Sequence, residues 1–161
     1  MRKTNFAILL LCVLLLASCK KNAPALSYPF GSWTFNNTTF RATGCTRDSA
    51  DIELIALDSL TGNPDCNLIV YFNGPFPAAS GTYTVASAGF QPGAGQVGIG
   101  LGYVAPGVLD NYVSTGGGGN QKVNVMVNNG KINVSASGIM MVNTGLGTDS
   151  NTLTFNITQS Q

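Results

Sequence analysis

The stretch Val123-Asn124-Val125-Met126-Val127-Asn128-Asn129-Gly130-Lys131-Ile132-Asn133-Val134 decides the fold class. Val123, Val125 and Val127 fall on one side of a two-residue repeat and Asn124 and Asn128 on the other, the period of a half-buried strand. Asn129-Gly130 supplies the positive-φ pair of a type I′ hairpin turn, and Ile132 and Val134 return on the apolar side. The C-terminal segment repeats the rule, with Leu153, Phe155 and Ile157 inward and Thr152, Thr154, Asn156 and Thr158 outward. Near the start of the body, Trp33-Thr34-Phe35, then Asn36-Asn37, then 38–42 read as a second hairpin, because Asn tolerates positive φ. Further strands are expected at 51–58, 67–73, 81–85 and 97–104. Leu68-Ile69-Val70-Tyr71-Phe72 is apolar on both faces, as in a strand covered on both sides. No segment of the body holds a helical period. About nine short strands separated by turn signals predict an all-β fold, an antiparallel β-sandwich, with a closed β-barrel as the alternative.

The chain has 161 residues, with Lys and Arg eight times against seven Asp and Glu, and no histidine. Charged residues make up 9%, far below the roughly 25% usual in soluble domains. Asn, Thr, Ser and Gly take their place, so the surface is built from neutral hydrogen-bonding groups. Beyond residue 21 only four basic residues stand against seven acidic ones, which argues against a nucleic-acid partner, since that needs a clustered basic face.

The first residues read as an export leader. Arg2 and Lys3 precede an uncharged, leucine-rich run from Phe6 to Leu16, too short to span a bilayer and suited to a signal-peptide core. Leu16-Ala17-Ser18-Cys19 resembles the lipobox of bacterial lipoproteins. That resemblance implies cleavage before Cys19 and acylation of Cys19, whose two or more chains would hold the protein at a membrane where a single chain binds only marginally. The expected organisation is a leader at 1–18, a lipidated N-terminus and tether at 19–29, and one all-β domain at 30–161, within the size of an ordinary domain.

Cys45 and Cys66 are the remaining thiols of the body. An oxidising envelope favours their pairing. A simple meander opposes it, because it sets them at opposite ends of a strand pair, roughly 20 Å apart against a bridging limit of about 7 Å. Both outcomes stay open, and two cysteines without histidine do not make a zinc site.

Several patterns resemble chemistry. Gly93-Ala94-Gly95-Gln96-Val97-Gly98 matches the dinucleotide fingerprint, yet it runs on into an alternating strand where that motif needs a helix, so no nucleotide is expected. Val97, Ile99, Leu101 and Tyr103 lie on one face of that strand and glycines on the other; a bare glycine face suits close packing, or a flat ligand surface. Gly116 to Gly119 reads as a flexible loop. Asp51 and Glu53 share a strand face at about the carboxylate spacing of inverting glycosidases, but solvated carboxylates account for them. The oxygen-rich run from Asp58 to Asp65 lacks the spacing of a calcium loop. Without histidine, Ser-His-Asp and Cys-His catalysis are excluded, and no cofactor is expected. The candidate ligand contacts are Trp33 and, in the loop-bearing region from Ala105 to Asn120, Asp110, Asn111 and Tyr112. A stacking platform of Trp33, Phe35, Tyr71 and Tyr83 is a further candidate.

Cys19-Lys20-Lys21, Gly31-Ser32-Trp33-Thr34-Phe35 and Ser80-Gly81-Thr82-Tyr83 together resemble small lipoproteins of Bacteroidota that carry one all-β domain of unknown function. The resemblance implies an outer-membrane, lipid-anchored envelope protein and supplies no catalytic residues. Asp48-Ser49-Ala50 and Asp58-Ser59-Leu60 are similar to the O-glycosylation acceptor of that phylum, at Ser49 and Ser59. The functional expectation is a non-catalytic binding module for glycan or protein. A structural envelope protein acting by self-association or strand addition is the alternative.

Overall fold

The computed structural model describes residues 29–48, 53–58, 65–87, 92–105, 108–145 and 149–160. The leader, Cys19, Ser49, Asp51 and Ser59 lie outside them, as does most of the oxygen-rich loop. Eleven strands follow one another: β1 Gly31–Phe35, β2 Thr38–Arg41, β3 Gly44–Arg47, β4 Glu53–Asp58, β5 Asp65–Phe72, β6 Gly81–Val85, β7 Gln96–Ala105, β8 Val108–Ser114, β9 Lys122–Asn128, β10 Lys131–Asn143 and β11 Ser150–Thr158. Both asparagine turns form as read, with φ of 47° and 59° at Asn36 and Asn37 and 50° at Asn129.

Pairing runs β2-β1-β11-β10-β9-β6-β7-β5-β4-β3, and β8 pairs with both β10 and β7. The double pairing of β8 closes β10, β9, β6, β7 and β8 into a five-strand ring. The all-β expectation therefore holds, and the closed barrel, the second arrangement offered by the sequence, describes the core. One pair departs from the antiparallel rule: β6 and β7 run parallel over Thr84↔Gln96 and Val85↔Val97. Two three-stranded wings extend from the ring, β11-β1-β2 from β10 and β5-β4-β3 from β7.

The inner faces of the wings meet in a single hydrophobic core. Trp33 of β1 is 1% exposed, stacks on Phe40 at 5.8 Å and donates its Nε1–H to Cys66 Sγ of β5 at 3.4 Å. Where the wing edges approach without pairing, the Arg41 backbone N–H donates to the buried Asp58 carboxylate at 2.9 Å. This covers an outward donor that would otherwise be left on the edge of β2. At the other end of the strand order, Ser160 donates through its N and Oγ to Cys45 O at 2.6 and 2.7 Å, and Arg47 Nε donates to Gln159 Oε1 at 3.0 Å. The C-terminal tail thus lies along β3.

Cys45 and Cys66 are both free and buried. The expectation that they sit at opposite ends is overturned: β3 begins at Gly44, so Cys45↔Ala56 and Asp58↔Cys66 put both thiols near the same end of β4. What separates them is β4 itself, two strand spacings or about 10 Å, beyond the roughly 7 Å a disulfide spans. Burial pushes both thiols up to about 12.

Gly116–Gly119 forms a short 3-10 turn with φ of 69°, 51°, 70° and 86°. Four successive left-handed residues are open only to glycine at low cost, so the stretch is an ordered turn in place of the flexible loop expected. In β10 the register against β11 shifts between Ala136 and Ile139. The inward positions change parity across that bulge, from Ile132 and Val134 to Ile139 and Met141.

Candidate functional site

β7 places Val97, Ile99 and Leu101 in the core, so alternation turns Gly98, Gly100 and Gly102 outward. In β5, Leu68, Val70 and Phe72 are buried, which leaves Asn67, Ile69 and Tyr71 on the same outer face. In β8, Tyr112 and Ser114 are buried, which leaves Asn111 and Val113 outward. Three neighbouring strands thus form a trench, floored by the glycines of β7 and walled by β5 and β8. Its volume is about 230 Å³.

Register sets its composition in rows. Asn67 and Asn111 both pair with Gly102, one asparagine on either side of it. In the adjacent row Ile69 and Val113 flank Gly100, and Ile55 of β4 pairs with Ile69. Tyr71 stands opposite Gly98 at the far end. The Asn67 side chain lies over Gly102 and accepts its backbone N–H at 2.8 Å; a Cβ at Gly102 would collide with that amide. Among the described residues Asn67 Nδ2 and the Asn111 side-chain amide have no hydrogen-bond partner, so both face the trench with unused capacity. Among the described residues no charged side chain lines it.

The β8 wall is held from behind. The Tyr112 ring meets Phe35 edge-on at 4.7 Å, and its hydroxyl donates to Asp149 Oδ2 at 2.9 Å. Asp149 also accepts from Asn143 Nδ2 at 3.0 Å and Asn151 Nδ2 at 3.3 Å. The Asn143 amide and the Tyr112 hydroxyl hold the Asp149 carboxyl below its ordinary value. Burial, then the hydrogen bond to Asp149, pushes the Tyr112 phenol up to about 12. Thr144 donates through N and Oγ1 to Asn111 O at 2.7 and 3.0 Å. These contacts fix the strand that carries Asn111.

Of the candidate contacts, Asn111 lies in the trench. Tyr112 lines it only along the backbone, since its side chain is 6% exposed and turned to the core. Asp110 shares Tyr112's side of the strand by alternation, away from the trench. Trp33 is no ligand contact: it is enclosed between the wings. The proposed stacking platform does not assemble either, because Phe35 is buried and Tyr83 packs against Phe72 at 5.9 Å, leaving only Tyr71 at the trench. Sequence reasoning passed over Asn67 and Ile69; the signal available was the phase of β5, which sets Asn67, Ile69 and Tyr71 on the face opposite Leu68 and Val70. The fingerprint-like Gly93–Gly98 stretch forms a turn, Gln96 N donating to Gly93 O at 3.0 Å, that leads into β7. Among the described residues no group of three or more Cys, Asp or Glu side chains is placed to hold a metal.

No protein-family model, curated protein or solved structure matches the chain.

Proposed function

We propose that the chain is a lipid-anchored, non-catalytic binding module of a bacterial cell envelope, tethered through Cys19 at the outer membrane, whose trench along β7 seats part of a glycan or protein of that envelope. The observation that carries the reading is the row Asn67-Gly102-Asn111: two amides with unused hydrogen-bonding capacity at one end of the trench, Asn67 fixed by the Gly102 N–H and Asn111 carried on a strand whose carbonyl accepts from Thr144. Binding sites have this character, a mostly apolar concavity with a few fixed polar groups. The chain's lack of histidine and the engagement of Asp149 with three donors favour binding over acid-base chemistry.

The test is a glycan array and an envelope pull-down on the lipid-free mature chain, with Asn111→Ala alongside. Asn111 is exposed, so its truncation spares the fold. Trp33→Ala is the wrong probe because it removes core. Saturable binding reduced in Asn111→Ala is expected; binding of full strength in that variant places the site elsewhere. Acylation is tested separately: labelled palmitate should be incorporated into the parent and not into Cys19→Ala, and equal labelling of the two would remove Cys19 as the anchor.

A further inference from the structure

The trench favours one class of occupant. Resting on the reading above, we infer that it binds a neutral glycan, with one sugar ring in the row of Ile69 and Gly100, its hydroxyls against the Asn67 and Asn111 amides, and the chain continuing along β7 toward Tyr71.

Charge is the first argument. A charged group placed against Ile69 and the glycines would lose hydration without gaining a counter-charge, since among the described residues no charged side chain lines the trench. An uncharged ligand meets no such cost. The second argument is the division of polarity between rows. A pyranose ring presents C–H groups on its faces and hydroxyls around its edge. The row Ile69-Gly100-Val113 offers an apolar surface, and the next row offers amides on both sides. β5 and β8 stand two strand spacings, about 10 Å, apart, so a ring in the row of Gly100 reaches the amides of the next row with its hydroxyls. Because Asn67 Oδ1 is fixed by the Gly102 N–H, Asn67 presents Nδ2 as a donor, whereas Asn111 can donate or accept.

Size is the third argument. About 230 Å³ falls below the roughly 300–1,000 Å³ of sites that enclose a whole drug-sized molecule. It suits one unit of a polymer whose remainder lies on the open surface. The outer face around it spans four strands, β4, β5, β7 and β8, and three rows, an area on the order of 400 Å², about half of what each partner contributes to a standard protein interface. A second copy of the chain, or a folded partner, would need more.

The experiment follows backbone amide shifts in the lipid-free mature chain during titration with a panel of neutral trisaccharides, including maltotriose, mannotriose and triacetylchitotriose, beside trigalacturonate and an uncharged Ile/Val-rich peptide. The expected result is saturable movement of Gly98, Gly100, Gly102 and Asn111 with a neutral sugar. Asn111→Ala should weaken it about five- to tenfold, as for one hydrogen bond, and Thr152→Ala on the opposite wing should leave it unchanged. Movement of those amides by the charged sugar or the peptide alone overturns the glycan assignment while leaving the trench as the site. If no probe moves them, the assignment is overturned as well. An envelope partner that binds Asn111→Ala undiminished defeats the underlying reading instead.

Discussion

The two wings share a core and present opposite exteriors. On the β11-β1-β2 wing and adjoining β10, the outward positions are hydroxyls and amides that bond across strands: Thr34 to Thr39 at 3.0 Å, Asn133 to Asn156 at 2.7 Å, Ser137 to Thr154 at 3.4 Å. On the β5-β4-β3 wing and adjoining β7, the outward positions carry Ile55, Leu57, Ile69, Tyr71 and glycines beside Asn67, with Glu53 and Asp65 at the strand starts by register, and Leu57 is 46% exposed. The difference separates two tasks. A neutral ladder whose members satisfy one another supplies the polar exterior that charges supply elsewhere, and its groups are already engaged. The apolar wing and adjoining β8 keep the unused Asn67 and Asn111 amides beside an apolar row, which is what recognition requires. The inward faces differ too: Cys45, Cys66 and Asp58 all point in from the β3-β4-β5 wing.

The largest break in this comparison comes from the residue that joins the wings. Trp33→Ala should destabilise by about 3–5 kcal/mol, as for other large buried aromatics, measured by urea unfolding, and both wings should melt together. Separate transitions would show that they are independent units. Alkali between about pH 8.5 and 10 should then act through the thiols of one wing, and above about pH 10 through the Tyr112 phenol as well. Unfolded thiols ionise from about pH 8.5, whereas those in the fold stay protonated to about 12. The folded state therefore holds more protons in that window. Stability is fully present below it and falls as pH rises through it, by about 1.4 kcal/mol per pH unit for each thiol. Cys45→Ala should remove one thiol's share of the slope, and an unchanged slope would assign the loss to other groups. Third in size, Asp58→Ala leaves the Arg41 N–H without this acceptor at the seam and should cost about 1–3 kcal/mol; a cost below 0.5 kcal/mol, on the order of an ordinary surface change, would mean the wing edges hold without it. Smallest in stability but sharpest for function is a pair of lysines. Thr152→Lys and Ile69→Lys should each lie within about 0.5 kcal/mol of the parent, while only Ile69→Lys should abolish ligand binding. Loss in Thr152→Lys alone would make the polar wing the binding face.

The sequence carried the local structure well where chemistry and period coincide. Asn36-Asn37 and Asn129-Gly130 announce their turns, and the outward threonines of β11 announce its phase. The bulge in β10 was not legible, because Ser135-Ala136-Ser137-Gly138 has neither a strong apolar period nor a breaker that fixes where parity changes. The cysteine geometry failed at Ala42-Thr43, where a corner between β2 and β3 resets the strand direction; nothing in those two residues distinguishes a corner from a continuing strand. For the site, Asn111 could be named and the glycine face of β7 could be weighed. The pairing of Asn67 with Asn111 across Gly102 could not, since it joins residues 44 positions apart through two inter-strand registers, and register is a property of the assembled sheet.

The stoppered ends of the strand order have a consequence for crowding. A protein held on a membrane by its N-terminus would meet its neighbours far more often than the same molecule in free solution, and exposed sheet edges are the surfaces that fuse under such encounters. Here the Asp58 carboxylate occupies a donor of β2 and the C-terminal tail occupies an acceptor of β3. If copies share a patch of bilayer as proposed, these contacts leave fewer free edge groups for one copy to pair with another.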